Sequence, residues 1–201
     1  PKRSTLVSRS DVTLKRKFSF KHTSRTWEGV PISAANMDTT GVFDVAKVLQ
    51  SHNMMTCLQK FYSVKDLERA WADGVDARYV AVTCGSTEDS FQLLRRKLAT
   101  NIDLSIICID VANGYREVFL EFVKRVRLDF PDKIIIAGNV ATPRAVEDLY
   151  NWGADIVKVG IGQGSPCTTK DKTGFTMPMF TCVKNCSDVH AGNAFSGEPL
   201  K

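Results

Sequence analysis

Six short, mostly apolar runs, each followed by a polar or glycine-rich turn and then a helical segment, constrain this chain more than any other feature. They lie at residues 30–35, 54–58, 78–82, 105–109, 133–137 and 156–159. Their apolar residues are continuous rather than alternating, as in strands that are covered on both faces. Between them, helices are expected at about 42–51, for some ten residues from 64, from about 90 to 99, at 117–130 and at 143–152. Ser63 is placed to cap the second helix, and Pro143 suits the first turn of the last. Strand and helix in strict alternation build parallel βαβ units with right-handed crossovers, so the fold class is α/β. Two architectures satisfy the rhythm: a (β/α)8 TIM barrel of which about six strands are present, and a doubly wound open sheet.

Around this core, residues 1–30 read as a polar, basic arm and hairpin. Residues 31–191 read as a partial barrel with a catalytic loop at 160–175, and 180–191 as one more helix. Residues 192–201, with Gly192, Gly197 and Pro199, read as a divergent tail. The chain opens on Pro1 without a methionine and shows no further apolar strand after 159, so it is expected to be an incomplete piece. The net charge of +5 is mild and spread out, apart from Lys15-Arg16-Lys17. It suits phosphorylated small molecules and gives no basic stripe for nucleic acid. No apolar stretch approaches the ~20 residues of a membrane span, and no secretory leader opens the chain. Six cysteines scattered through apolar runs suit reduced thiols and a cytoplasmic location rather than a disulfide framework.

The chemistry concentrates after the sixth strand, in Val157-Lys158-Val159-Gly160-Ile161-Gly162-Gln163-Gly164-Ser165-Pro166-Cys167-Thr168-Thr169-Lys170. Glycines at 160, 162 and 164 allow positive φ and close approach of a ligand, and they deliver Cys167, a candidate nucleophile, into a loop. Thr169 and Lys170 are the local groups able to help ionise it. The glycine spacing is not that of a dinucleotide fingerprint. It suits a monovalent cation or a phosphate held by backbone groups. Asp110 ends a buried strand, either as a helix cap or as a ligand acceptor. Lys60 is either a snorkelling strand-end lysine or a cation for a cofactor. Asn139 is a turn residue or a ligand contact. Cys182, Cys186 and His190 share one helical face, where packing explains them better than a metal.

These residues carry a specific resemblance. The run from Val157 to Thr169, together with Pro1-Lys2-Arg3-Ser4, Ser8-Arg9-Ser10, Ala35-Asn36-Met37-Asp38-Thr39, Asp110-Val111-Ala112-Asn113-Gly114-Tyr115 and Ala137-Gly138-Asn139-Val140, resembles the GMP reductase branch of the family shared with inosine monophosphate dehydrogenase. The resemblance implies a (β/α)8 barrel that reduces GMP to IMP and ammonia with NADPH. Its alternatives are a dehydrogenase relative and a non-catalytic fragment. It implies Cys167 as nucleophile and Thr169 as proton-transfer residue. It implies cofactor contacts at Ser8, Arg9, Lys60, Asp110, Val111, Ala112, Ile161 and Gly162. A potassium ion is implied at Gly162, Gly164, Cys167 and Lys170, and a homotetramer for the full-length protein. Pro166, Gln163, Gln59 and Arg116 depart from the family's usual residues. The loops that hold the GMP phosphate and ribose, and the acidic partner of the threonine, fall beyond the last residue.

Overall fold

The computed structural model describes residues 6–164, 167–187 and 189. An antiparallel hairpin comes first, β1 (Arg16–Ser19) and β2 (Thr26–Gly29), with Phe18 opposite Trp27. Six parallel strands follow: β3 (Ser33–Ala34), β4 (Met55–Cys57), β5 (Val80–Cys84), β6 (Ile106–Asp110), β7 (Ile134–Val140) and β8 (Ile156–Val159). Between consecutive strands run α1 (Phe43–Ser51), α2 (Val64–Ala72), α3 (Glu88–Leu98), α4 (Glu117–Asp129) and α5 (Pro143–Asn151). The strands lie side by side in chain order without a reversal. A doubly wound sheet must reverse at its switch point, so this order decides for a curled half-barrel.

The apolar runs are continuous because each face of the sheet has its own cover. Val80, Val82, Ile107, Ile109, Ile135 and Ala137 point outward and share a core with Leu67, Phe91, Leu94, Phe122, Val126 and Leu149 of the helices. Met55, Ala81, Ile106, Cys108, Ile134 and Ile136 point inward, where Trp27, Phe18 and Phe20 of the hairpin segment pack against them. Each large side chain so buried contributes about 1.5–3 kcal/mol.

Below the strands' N-terminal ends sits a closed polar clamp. The Arg127 guanidinium meets the carboxylate of Asp155 at 2.5 Å, and the Asp155 side chain has no exposed surface. Arg127 also donates to the carbonyls of Gly153, Pro131 and Lys133. Asp155 accepts from the backbone N–H groups of Ile135 and His22, which ties the hairpin turn to β7 and β8.

Some boundaries differ from the sequence expectation, for local reasons. The first run shrinks to Ser33–Ala34, and the Ile32 carbonyl instead accepts from Met55. The third begins at Val80, because Asp76 caps a 3-10 turn at Ala77–Tyr79. The fifth runs on through Gly138-Asn139-Val140, where Val111 exchanges backbone bonds with Gly138 and Asn139. Ser63 caps α2 in a capping box with Asp66, as expected. After β8 come a short helix, α6 (Thr169–Thr173), and α7 (Met179–Ser187). Ser165, Pro166, His190 and the tail at 192–201 lie outside the described residues, as does Pro1-Lys2-Arg3-Ser4.

Candidate active site

At the C-terminal ends of β6, β7 and β8, Asp110, Gly138 and Lys158 stand in one register on the inward face. Gly138 is the saddle between the other two. A Cβ there would meet the Lys158 carbonyl oxygen at 2.5 Å and the Lys158 Cβ at 2.6 Å. With no side chain in the way, the Lys158 ammonium crosses to the Asp110 carboxylate. It also donates to Asn36 Oδ1 at 2.8 Å, just beyond β3. Asn139 Nδ2 donates to the Val111 carbonyl at 3.1 Å and to Asp110 at 3.3 Å. Asp110 is therefore no helix cap; Arg116 holds the cap position of α4. Burial works to lower the Lys158 ammonium, but the facing Cys108 thiol and Asp110 hold it above its ordinary value. About a quarter of each side chain in this pair remains exposed, so the mouth keeps water and room for a ligand.

Under the mouth two thiols face each other. Cys57 lies 3.5 Å from Ser33 Oγ. The neighbouring Cys108 thiol, then the Ser33 hydroxyl and the Lys158 charge, lower the Cys57 thiol against the effect of burial. Cys108 moves the opposite way, through its bond with Cys57 and through burial.

The loop after β8 carries the candidate nucleophile. All six cysteines are free and five are buried; Cys167 is the one with partial exposure. The Thr169 hydroxyl, followed by the backbone N–H of Thr169 and those of Gly162 and Lys170, lowers the Cys167 thiol below its ordinary value. Thr169 thus acts through side chain and backbone, and Lys170 through its backbone. Gly162 adopts φ of +80°, and a Cβ there would meet Thr176 Oγ1 at 2.8 Å. The loop folds back over its own base: Thr176 donates to the Ile161 carbonyl at 3.1 Å, and Gln163 to the Met177 carbonyl at 2.8 Å. The Gly164 carbonyl accepts from Cys167 N–H at 3.0 Å.

A cleft of about 180 Å³ opens between the loops after β5 and β6, lined by Ser86, Val111, Ala112, Asn113, Arg116 and Phe119. Two expected cofactor positions, Val111 and Ala112, fall in it. Lys60 stands exposed after β4, its ammonium 5.3 Å from the Phe61 ring centre and its carbonyl accepting from Lys97. Ile161 turns its side chain away into a small core with Ala141, Cys182 and Cys186, leaving its backbone to the loop. Ser8 and Arg9 form an exposed 3-10 turn held by Ser10 and Asp11. Cys182 and Cys186 are buried, and Cys182 donates to the Ala141 carbonyl. Among the described residues, no cluster of three or more His, Cys, Asp or Glu could hold a metal ion.

A six-strand parallel half-barrel with a cysteine loop after its last strand matches one family model. The IMP dehydrogenase / GMP reductase domain matches residues 1–196. The chain belongs to the IMP dehydrogenase / GMP reductase family. Among relatives of this family, GMP reductase of Vibrio vulnificus (strain YJ016) is 50% identical over 198 residues, covering 96% of this chain and 56% of its own length. GMP reductase of Enterobacter sp. (strain 638) is 50% identical over 195 residues, with the same coverage. The chain therefore spans just over half the length of the curated relatives it matches. The crystal structure of inosine 5′-monophosphate dehydrogenase from Legionella pneumophila superposes with a TM-score of 0.76 at 30% identity, over 92% of this chain and 55% of that one. In this family member the residue that sequence reasoning passed over is Lys158. It stands inside the glycine-rich motif, and its position in an apolar strand hides its inward direction. The period-two pattern of β8, counted against Asp110 and Gly138, is the signal that finds it.

Proposed function

We propose that this chain contributes the nucleophile and part of the cofactor site of a GMP reductase, an oxidoreductase of purine nucleotide salvage. The observation that carries the reading is Cys167, lowered by the Thr169 hydroxyl, on the loop leaving the last strand of a barrel of this family. The Cys167 thiolate adds to C2 of the purine and forms a carbon–sulfur bond. Thr169 delivers a proton to the 2-amino nitrogen, the carbon–nitrogen bond breaks, and ammonia leaves a covalent thioimidate on Cys167. NADPH, when bound, is the reductant that supplies a hydride to C2. Release of the sulfur returns the Cys167 thiolate. GMP, NADPH and a proton thus become IMP, NADP+ and ammonia.

The cleft beside Val111 and Ala112 fits one side of a cofactor, and Asp110, Lys60, Ile161 and Gly162 are the further contacts we assign to it. Ser8 and Arg9 would join only in an assembled barrel. The backbone carbonyls of Gly162, Gly164 and Cys167, with Lys170, are the groups we assign to a potassium ion. The full-length protein would be a cytoplasmic homotetramer. No described helix is long and apolar enough to cross a membrane.

The reading is tested by NADPH absorbance. Oxidation is expected only with GMP present, and Cys167→Ala should lower it at least ~10³-fold. Oxidation of IMP with NAD+, without the reverse activity, would overturn it in favour of a dehydrogenase. A second reading is a non-catalytic piece of a GMP reductase. It predicts no turnover although the Cys167 thiol still reacts readily with an alkylating agent.

A further inference from the structure

The cleft between the loops after β5 and β6 has one charged side chain among the described residues that line it. Val111, Ala112 and Phe119 give it apolar walls, with Ser86 on the β5 side and Arg116 on the α4 side. Asn113 lines it too, but its Oδ1 is taken by the Tyr115 N–H at 3.0 Å. Arg116 is exposed, and among the described residues its guanidinium has no ion pair or hydrogen bond. The Ser86 hydroxyl has no partner there either. Every other basic residue of α4 is engaged. Lys124 lies 4.9 Å from the Trp152 ring centre, Arg125 meets Glu88 at 2.6 Å, and Arg127 meets Asp155 at 2.5 Å.

Arginine is also the wrong residue for its place in the helix. It occupies the cap position of α4 and makes no side-chain cap bond. A guanidinium has no acceptor atom to offer the first-turn N–H groups. It also puts a positive charge at the positive end of the helix dipole, where Ser, Thr, Asn and Asp are favoured. Helices α2, α3 and α5 show the usual solution, with Ser63, Thr87 and Thr142. A residue that breaks the local rule and gains no contact in the fold is the mark of a functional position.

The separation from the cysteine loop decides which part of a cofactor meets the cleft. That loop leaves β8, whereas the cleft lies at β5 and β6, two to three strands away. At the spacing of a sheet this is about 10–14 Å. A nicotinamide placed to react at the loop therefore leaves its far end, the adenosine, for the cleft. The apolar walls suit a flat purine base and not a charged diphosphate. The anion next to that base is the 2′-phosphate.

We infer that Arg116 is the specificity-determining residue for the cofactor: its guanidinium takes the 2′-phosphate of NADPH at this cleft, with the Ser86 hydroxyl as a further donor, and so separates NADPH from NADH. The planar fork of the guanidinium can bond a phosphate through two N–H groups at once. The inference rests on the reading of this cleft as part of a cofactor site, and the test separates the two.

The experiment titrates the 201-residue protein with NADPH and with NADH at low salt and reads each Kd from the nicotinamide fluorescence. The wild type is expected to bind NADPH at least about tenfold more tightly than NADH. Arg116→Ser should weaken NADPH at least about tenfold and leave NADH within about twofold, so that the preference disappears. Serine is a better cap than arginine, so this variant should melt no lower than the wild type, and lost binding cannot be put down to lost folding. Arg116→Lys keeps the charge without the fork and should retain part of the preference. Raising the salt should shrink the wild-type preference. Arg144→Gln removes one exposed charge from α5 and should change neither Kd. An unchanged NADPH affinity in Arg116→Ser would overturn the inference and leave the cofactor site standing. An equal loss for NADPH and NADH would overturn it too, by moving Arg116 to a phosphate that both share. Binding of neither by the wild type would overturn the inference and the cofactor site together. A preference that depends on Arg116, without GMP-dependent oxidation, would uphold the inference and sink the proposed reaction.

Discussion

Two carboxylate–cation pairs sit at opposite ends of β8 and are built to different ends. Asp155 and Lys158 are three residues apart. At the bottom, Asp155 and Arg127 are sealed, and the groups around them are matched: Arg127 reaches four carbonyls besides the carboxylate, and Asp155 accepts from two backbone N–H groups. At the top, Lys158 and Asp110 are held by two asparagines and left about a quarter open. A buried pair matched in this way serves the fold, since anything that displaced a partner would strand a charge. A partly open pair can exchange a partner for a ligand. This is the division between stabilising and functional ends that parallel barrels show.

The strongest way to break the contrast is at the bottom. Asp155→Ala strands the Arg127 guanidinium and frees the hairpin turn, and should cost about 3–5 kcal/mol in denaturant unfolding. A cost below 1 kcal/mol would show that the clamp is not what fixes the hairpin to the sheet.

Next in size is Gly138→Ala. The new methyl lies on the Lys158 backbone rather than on a flexible side-chain tip, so β7 or β8 must shift. We expect a loss of about 1–3 kcal/mol, read from the unfolding midpoint. An unchanged midpoint would show that the two strands part without cost at this level.

Lys158→Met sharpens the comparison. It should cost only about 1–2 kcal/mol, because Asp110 keeps Asn139 and some water. GMP-dependent NADPH oxidation should nevertheless fall at least ~10-fold, whereas Asp155 variants that remain folded should keep their turnover. The same stability loss at both ends, with equal effects on activity, would erase the distinction.

The smallest effect concerns the exposed ion pairs at the bottom edge. The Arg25 hydrogen bond holds the Asp103 carboxyl below its ordinary value. A lowered carboxyl stabilises the fold above its unfolded value of about 3.9, and that contribution fades as pH falls through the lower folded value. Asp103 is 72% exposed, so water and salt screen the pair. The loss between pH 5 and 2 that Arg25→Gln removes should be about a few tenths of a kcal/mol, measured as a difference in unfolding midpoints. A difference above 1 kcal/mol would place this edge with the clamp rather than with the surface.

The helices and strands were legible because their signals are local. Ser63 caps α2 through a residue three positions on, and Pro143 opens α5. The pairing of Cys167 with Thr169 was legible for the same reason, since only Thr168 separates them. Strand ends were less so. Gly138-Asn139-Val140 reads as a turn by composition, and its bonds to Val111 on one side and its pairing with β8 on the other keep it in the sheet. That Asp110 pairs with a lysine 48 residues on, and does not cap a helix, was not legible in its own stretch.

What the sequence determined by itself was the alternation of strands and helices, the apolar cover for both sheet faces, and a cysteine loop of one family. These follow from periodicity, turn chemistry and a contiguous motif, each confined to a few neighbouring residues. The tertiary structure alone decided the order of the strands, the meeting of Asp110 with Lys158 across Gly138, and the sealing of Asp155 by Arg127 of α4. The meeting of Asp110 with Lys158 depends on the register between strands that are distant in the chain. A one-residue slip would turn either side chain to the other face, and no local pattern encodes where that register stops.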